Sequence, residues 1–538
     1  MIKTLNGDQA MAHAALSCGV KLVTSYPGSP SSGAVEALIG LTEEQDLLVE
    51  WSSNERVALE MGIGASIAGR RALVCTKSVG LNVMVDPLMA LNLTPINGGL
   101  VILLGDDPGG YGSQNDQDSR PLAVLLEMPL LEPASPAEGY AMMREAFRIS
   151  EEYHTVVIIR ETRSFTKQAE PVELGDVPRG NSGLGLRREP WRYVPVPLNA
   201  VEKHRDLHRR MEALGGWADR SPFNPVSGNG TRGVIAAGFA HRKLLDVVGD
   251  NEPERFRLLK LGNLFPLPAG TVSAFLKQCE EVLVLEEIEP FLETQIKALA
   301  YDIGFRGKIF GKQTGHTGRE GELFRWQIQQ ALAGFLPDLV PTRDFLQRDE
   351  QTEKPQKANH CHGCGYDKIL DALEKAARSL DQKPVLVGDP GCLVTVADRL
   401  DAKFAIGSAV GVADGLSKAG IEERAVALFG DSSFFHSTLP GICNAVHNQS
   451  NILMVVLDNQ ATATSGYQSN PGVNRDARGH EAPGLDMEEI VRACGVEHVI
   501  TWGPSDPESS LVTHFRDALL TQELTLMIIR INSGRPAR

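Results

Sequence analysis

The chain has 538 residues, of which 42% are hydrophobic and 22% charged, and it carries a formal net charge of -15. That length suggests about three domains, and the negative charge argues against nucleic acid or an anionic membrane surface as a main partner. No uninterrupted apolar run of roughly 18 residues occurs, so no membrane-spanning helix is expected.

The opening stretch, MIKTLNGDQAMAHAALSCGV, reads as an amphipathic helix rather than a signal peptide. Eight cysteines without a secretory signal fit a reducing compartment, so a cytoplasmic location is expected.

Residues 1–185 alternate strand-like runs (LVTSYP, ALVCT, GGLVILLG, TVVIIRE) with helix-like segments such as NERVALEMGIGASIAG, the pattern of a doubly wound α/β domain. Within it, SYPGSPSSG (25–33) places Ser29 in a tight turn after a strand. The Ser29 hydroxyl could meet a reacting carbonyl or a carboxylate, and the same residues are a good helix start, so catalysis and capping are both open. Glu55 and Glu60 share the next helix. The loop 106–120 gathers Gln114, Asn115, Asp116 and Arg120, without the G-x-G-x-x-G spacing of a dinucleotide cradle.

Residues 186–230, rich in Arg, Trp, Pro and Gly, read as a connector that includes a charged helix. A second α/β domain spans 231–340, with GVIAAGFA, RLLKLGNLFPLP, EEVLVLEEIEPFLETQIKALA and KIFGK as its landmarks. The charged, apolar-poor stretch 341–359 is a linker, and a third domain fills 360–538.

The third domain carries the most specific signal. VALF (426–429) is an apolar strand, after which Gly430 turns the backbone and Asp431 falls at the strand's C-terminal edge, where ligands of open α/β sheets collect. ILMVVLD (452–458) delivers Asn459 to the same edge across a crossover helix. Asp431, Asn459 and a carbonyl near Ala461 offer oxygens to Mg²⁺, which takes few ligands from protein and the rest from phosphate and water.

This segment, with FAIGSAVGVADGLSKAG before it and TATSGYQSNPG after it, resembles the diphosphate-binding domain of the indolepyruvate:ferredoxin oxidoreductase alpha subunits. These belong to the thiamine-diphosphate-dependent 2-oxoacid:ferredoxin oxidoreductases, and the likeness covers nearly the whole chain apart from about 185 to 230. It implies an α/β fold of three domains: two thiamine-diphosphate-binding doubly wound parallel-sheet domains flanking a transketolase C-terminal-like α/β domain. The cofactor would lie between the first and third domains.

The resemblance also implies roles. Thiamine reacts only when C2 of its thiazolium loses a proton, and a glutamate on N1' of the aminopyrimidine favours the tautomer that takes it. Glu55, Gly64, Gly69, Thr76, Ser78 and Gly80 match the family pattern, so Glu55 is the expected activator, with Glu60 as the alternative. The segment at Ser29 resembles the family's substrate loop. Gly430, Asp431, Ser432, Asn459 and Ala461, together with Gly391, Cys392, Gly407 and Ser408, would hold the cofactor, with backbone N–H groups after Gly407-Ser408 meeting the diphosphate. His436 could protonate or position intermediates, or be a hydrogen-bonded loop histidine. No arginine stands near position 105, where pyruvate enzymes of the superfamily bind the substrate carboxylate; the indolepyruvate branch shares that absence.

Cys361, Cys364 and Cys392 resemble ligands of a [4Fe-4S] cluster, which would accept the single electrons of the oxidative step. Neither a second CxxC nor a His-x₃-His that would favour zinc follows Cys364. The family's fourth cysteine, after the final strand, is replaced by Ile531, Asn532, Ser533 and Gly534. Cys443 or Cys494 could substitute, although both stand in helical, apolar contexts typical of buried free cysteine. The ferredoxin-like cysteine runs usual at the family's C-terminus are also missing before Arg538.

The expected activity is therefore oxidative decarboxylation of a 2-oxoacid such as indolepyruvate to an acyl-CoA, with coenzyme A as co-substrate. A companion beta subunit and a ferredoxin-like acceptor are expected partners, in a homodimer or hetero-oligomer. The alternative is a non-oxidative thiamine-dependent decarboxylase or carboligase.

Overall fold

The computed structural model describes residues 1–42, 47–176, 185–186, 188–249, 256–339, 341, 344–346 and 365–531. It divides into two compact units, one made of Met1–Val49 and Glu55–Lys357, the other of Glu50–Asn54 and Ala358–Arg538.

The first unit holds two main sheets. One has seven strands in the order Asn263–Phe265, Leu130–Leu131, Val157–Thr162, Leu100–Asp106, Ala72–Lys77, Leu22–Ser25, Leu48–Trp51. Its centre is parallel, with Leu22 opposite Ala72, Ala72 opposite Leu100 and Val101 opposite Val157. Leu100 to Leu104 are wholly buried, because helices cover both faces and a parallel strand between them must be apolar on each side.

The other sheet has five strands, ordered Lys308–Phe310, Glu281–Leu285, Arg232–Ala237, Arg257–Leu261, Val226–Ser227. It is parallel except for the last strand. The middle region is not self-contained, since Asn263–Phe265 leaves it and pairs antiparallel with Leu130–Leu131 in the seven-stranded sheet. The expected connector likewise ends in Val226–Ser227, a strand of the five-stranded sheet, after a helix at Ala200–Ala218.

One buried ion pair, Arg120–Glu286, adds to this joining, and others lie within each region. Arg120, wholly buried, bonds Asp118 at 2.7 Å and Glu286 at 2.8 Å. Arg160 bonds Asp106 and Glu132, both at 2.6 Å, and Lys243 bonds Glu287 and Glu322, both at 2.8 Å. Removing one partner of such a buried pair strands a charge and costs about 3–5 kcal/mol.

The N-terminus departs from expectation. Ile2–Asn6 is a strand, antiparallel to Ala169–Glu173, and the helix starts only at Gly7. Asn6 and Gln9 form a capping box there, with Gln9 N donating to Asn6 Oδ1 at 2.9 Å and Asn6 N to Gln9 Oε1 at 3.1 Å. Of the stretch expected as a linker, Phe345 is buried and its N–H donates to Gln329 Oε1 at 2.7 Å. Most of the rest lies outside the described residues.

The second unit is a six-stranded parallel sheet, ordered Ala402–Lys403, Val385–Gly388, Ala425–Gly430, Leu453–Asp458, Thr525–Arg530, His498–Trp502. The two-residue period of a strand separates its faces. Val426 and Leu428 pack with the helices Tyr366–Ser379 and Glu508–Leu520, whereas Ala425, Ala427 and Phe429 pack with Ala409–Lys418 and Leu439–His447. Among the described residues no helix is long and apolar enough to cross a membrane.

Candidate active site

Three neighbouring parallel strands of the second unit end in polar residues. Asp389 follows Val385–Gly388, Asp431 follows Ala425–Gly430, and Asn459 follows Leu453–Asp458. Pairing of Gly388 with Leu428 and of Gly430 with Leu457 brings these ends to one edge. All three side chains are buried.

Asp431 and Asn459 converge on a single donor. The Ala461 N–H lies 3.1 Å from Asp431 Oδ2 and 3.3 Å from Asn459 Oδ1. The Asn470 amide adds a 2.8 Å bond to Asp431 Oδ2. Burial, with Asp458 nearby, pushes the Asp431 carboxyl up to about 7. A buried carboxylate with no ion-pair partner among the described residues is short of a cation, and the all-oxygen donor set suits a hard one such as Mg²⁺. Asn459 also turns its amide toward Cys392 Sγ at 3.6 Å. Ser432 accepts a bond from the Thr462 hydroxyl at 3.1 Å.

The helix start after Gly407-Ser408 has a carboxylate of the same chain beside it. Asp389 accepts from Gly407 N at 2.7 Å and from the first helical N–H, that of Ala409, at 2.8 Å, and from the Ser433 hydroxyl. Burial raises the Asp389 carboxyl while these donors oppose the rise. Gly407 has φ +81°, and a Cβ there would stand 2.4 Å from Ser437 Cβ, so only glycine fits. Gly391, at φ +109°, turns the chain into Cys392.

His436 lies in a π-helical turn, Phe434–Thr438, rather than in a loop; it is buried and its Nδ1 meets the Ser437 hydroxyl. Cys443 is exposed, not buried, and its Sγ lies 3.8 Å from that of Cys494. Cys361 and Cys364 lie outside the described residues.

In the first unit Glu55 is buried at the start of the helix Glu55–Ile67. A Cβ on Gly80 would stand 2.7 Å from Glu55 Oε1 and 2.3 Å from Thr76 Oγ1, so the carboxyl rests on the bare backbone of Gly80. Gly69 has φ +76° in the turn after that helix, and Ser78 begins the next one. Gly64 has open space around it. Glu60 is different: it is exposed and pairs with Arg56 at 2.8 Å.

Ser29 is exposed and makes no cap. The turn is held instead by Ser32, whose hydroxyl accepts from Gly28 N at 2.8 Å, and by Ser31, whose hydroxyl donates to Gly28 O at 3.0 Å. The stem of Lys77 lies on Gly28, its Nζ reaches the Gly112 carbonyl at 2.9 Å, and burial lowers its pKa against the opposing pull of Asp107 and Glu55. Arg120 is consumed by its buried ion pairs. Asp116 accepts from Gly109 N at 2.8 Å and Gly321 N at 2.7 Å, whereas Gln114 and Asn115 are exposed.

Sequence reasoning passed over Asp389, Asn470 and Lys77. The available signals were an aspartate directly after a strand in GDPGC, an amide within TATSGYQSNPG, and a lysine inside the T-x-S-x-G run.

Comparison with known proteins adds to this geometry. Residues 13–186 match the family "Pyruvate flavodoxin/ferredoxin oxidoreductase, thiamine diP-bdg", and residues 402–529 match "Thiamine pyrophosphate enzyme, C-terminal TPP binding domain". The chain is 34% identical to the indolepyruvate oxidoreductase subunit IorA of Pyrococcus abyssi, over 98% of this chain and 85% of that one. It is 36% identical to the protein of that name from Methanothermobacter thermautotrophicus, over 93% and 82%. A solved 2-oxoglutarate:ferredoxin oxidoreductase from Magnetococcus marinus aligns at 14% identity and TM-score 0.45, covering 58% of this chain and 62% of that chain.

Proposed function

Because the chain belongs to the family of the indolepyruvate oxidoreductase subunit IorA, we propose that it catalyses the thiamine-diphosphate-dependent oxidative decarboxylation of a 2-oxoacid. The substrate is an aryl pyruvate such as indolepyruvate, the product an acyl-CoA, and the electron acceptor a ferredoxin-type protein reached with a companion subunit. The observation that carries this reading is the pair of buried side chains, Asp431 and Asn459, converging at the C-terminal edge of a parallel sheet with no cation among the described residues to balance the carboxylate.

Bound thiamine diphosphate supplies the electron sink for loss of CO₂. Asp431, Asn459 and the chain at Ala461 would hold Mg²⁺ and through it the diphosphate. Asn470 orients the Asp431 carboxylate, and Asp389 braces the neighbouring helix so that the edge keeps its shape. Glu55, buried against Gly80, would share a proton with the cofactor's pyrimidine ring. Lys77 is the cation beside the Ser29 loop and would meet the substrate carboxylate in place of the arginine that pyruvate enzymes use. His436 would hold or move a proton.

Cys392 stands beside Asn459 at this edge, and with Cys361 and Cys364 it would supply three of the four thiolates that a [4Fe-4S] cluster takes. Relatives named as oxidoreductases favour the oxidative outcome over simple decarboxylation.

The test is anaerobic reduction of a viologen dye by the chain assembled with its companion subunit, given indolepyruvate and coenzyme A. The expected result is dye reduction matched to acyl-CoA formed. In the same assay Lys77→Met should raise KM about 10- to 100-fold, the worth of one charged hydrogen bond. Release of CO₂ and aldehyde without dye reduction would contradict the oxidative reading.

A further inference from the structure

The helix Ala200–Ala218 lies outside both matched family regions, 13–186 and 402–529, and nothing in the proposed reaction uses it. Its residues His204 and His208 are four apart, so both imidazoles leave one face of the helix. Their ring centroids are 4.3 Å apart, and both Nε2 atoms point at one carboxylate. His204 Nε2 lies 2.7 Å from Glu127 Oε1, and His208 Nε2 lies 3.2 Å from Glu127 Oε2.

Glu127 comes from another element. It follows the helix Arg120–Leu125 in a left-handed conformation, φ +51°, with Met128 N closing the turn onto Ala123 O at 3.0 Å. That position favours glycine or asparagine, so the glutamate is there for its side chain rather than for the turn.

We propose that Glu127, His204 and His208 form a binding site for a divalent transition ion of the zinc class, separate from the oxygen-lined edge at Asp431. The candidate ligand atoms of the three residues all lie within 4.8 Å of one another. Two ligands of a tetrahedral zinc ion, at bond lengths near 2.0–2.1 Å, stand about 3.3 Å apart. The observed separations therefore need only small side-chain rotations to admit the ion. The donor set, two imidazoles and a carboxylate, suits Zn²⁺, Co²⁺ or Ni²⁺ and not Mg²⁺, which takes oxygen. His204 and His208 are exposed, which leaves a fourth position open to water.

An ion there would staple the helix to the turn after Arg120–Leu125. Elsewhere this helix is tied down by Arg210, whose guanidinium donates to Asn92 O at 2.9 Å and to His154 O at 3.0 Å.

Calorimetric titration of the chelator-stripped full chain with ZnCl₂ tests this, in buffer holding saturating Mg²⁺ and thiamine diphosphate. The wild type should bind zinc and gain Tm on binding. His204→Ala and His208→Ala should each weaken that binding at least about tenfold, and the double variant should lose both the zinc heat and the Tm gain. Both histidine side chains lie at the surface, so the zinc-free variants should melt with the wild type and keep its thiamine-diphosphate affinity. Retention of the same zinc affinity and Tm gain in the double variant overturns the site, because the ion then binds elsewhere, as on cysteine. Absence of zinc binding by the wild type overturns it as well, and leaves Glu127 as the partner of the two histidines alone.

Discussion

Burial separates two glutamates that look equivalent in sequence. Glu55 is 4% exposed against Gly80, whereas Glu60 is a surface partner of Arg56. Glu55→Gln should keep cofactor affinity and lower kcat at least about 100-fold, because an amide of the same shape cannot exchange the proton. Glu60→Gln should stay within about twofold, since an exposed i,i+4 pair is screened by solvent and lies away from the buried carboxyl. Steady-state kinetics of the two variants decide, and the reverse order would move the role to Glu60.

A second buried carboxyl has a consequence for stability. Burial, reinforced by Glu36, raises Asp8 from 3.8 to about 7, and its Oδ1 has no hydrogen-bond partner. Gly33 lies so close that a Cβ there would stand 2.3 Å from Asp8 Oδ2. Because the folded-state pKa lies above the unfolded one, the native chain holds a proton that the unfolded chain has released. The stability from this group is full below pH 3.8 and is lost as pH rises through about 7. Asp8→Asn is neutral throughout, so its Tm relative to wild type should climb across that window. A difference in Tm that does not change with pH would mean that the carboxyl is ionised already.

Among the elements, the strand ends and the helix Ala409–Lys418 set the shape of the candidate site. The strands around Asp431 were legible because a parallel strand buried on both faces must read as an unbroken apolar run, as VALF and ILMVVL do. The cap on the helix was not. Asp389 reaches Gly407 and Ala409 across about 20 residues, and no spacing rule connects them. Arg120 is a stronger case: the sequence sets it at the end of a glycine-rich polar stretch, and its partner Glu286 is 166 positions away. Nor did the opening helix pattern show that Ile2–Asn6 would find a strand partner at Ala169–Glu173, since such pairing depends on where the chain returns. Asp389→Ala should lower Tm by an amount equivalent to about 1–2 kcal/mol, the worth of a lost cap and its hydroxyl partner. An unchanged Tm would show that water replaces the carboxylate at no cost.

At the scale of the whole molecule, the proposed reaction draws on residues of both units. The first unit is clamped internally by buried arginine and lysine pairs and presents Glu55, Lys77 and the Ser29 loop. The second presents the polar edge at Asp431 and Asn459. That edge is the claim on which the functional account depends, and calorimetry of thiamine diphosphate with the full chain tests it most directly. The wild type should bind the cofactor in the presence of Mg²⁺ and lose that binding when the ion is chelated, and Asp431→Ala should not bind it under either condition. Binding of equal strength without a divalent ion, or by the Asp431→Ala chain, would contradict the account.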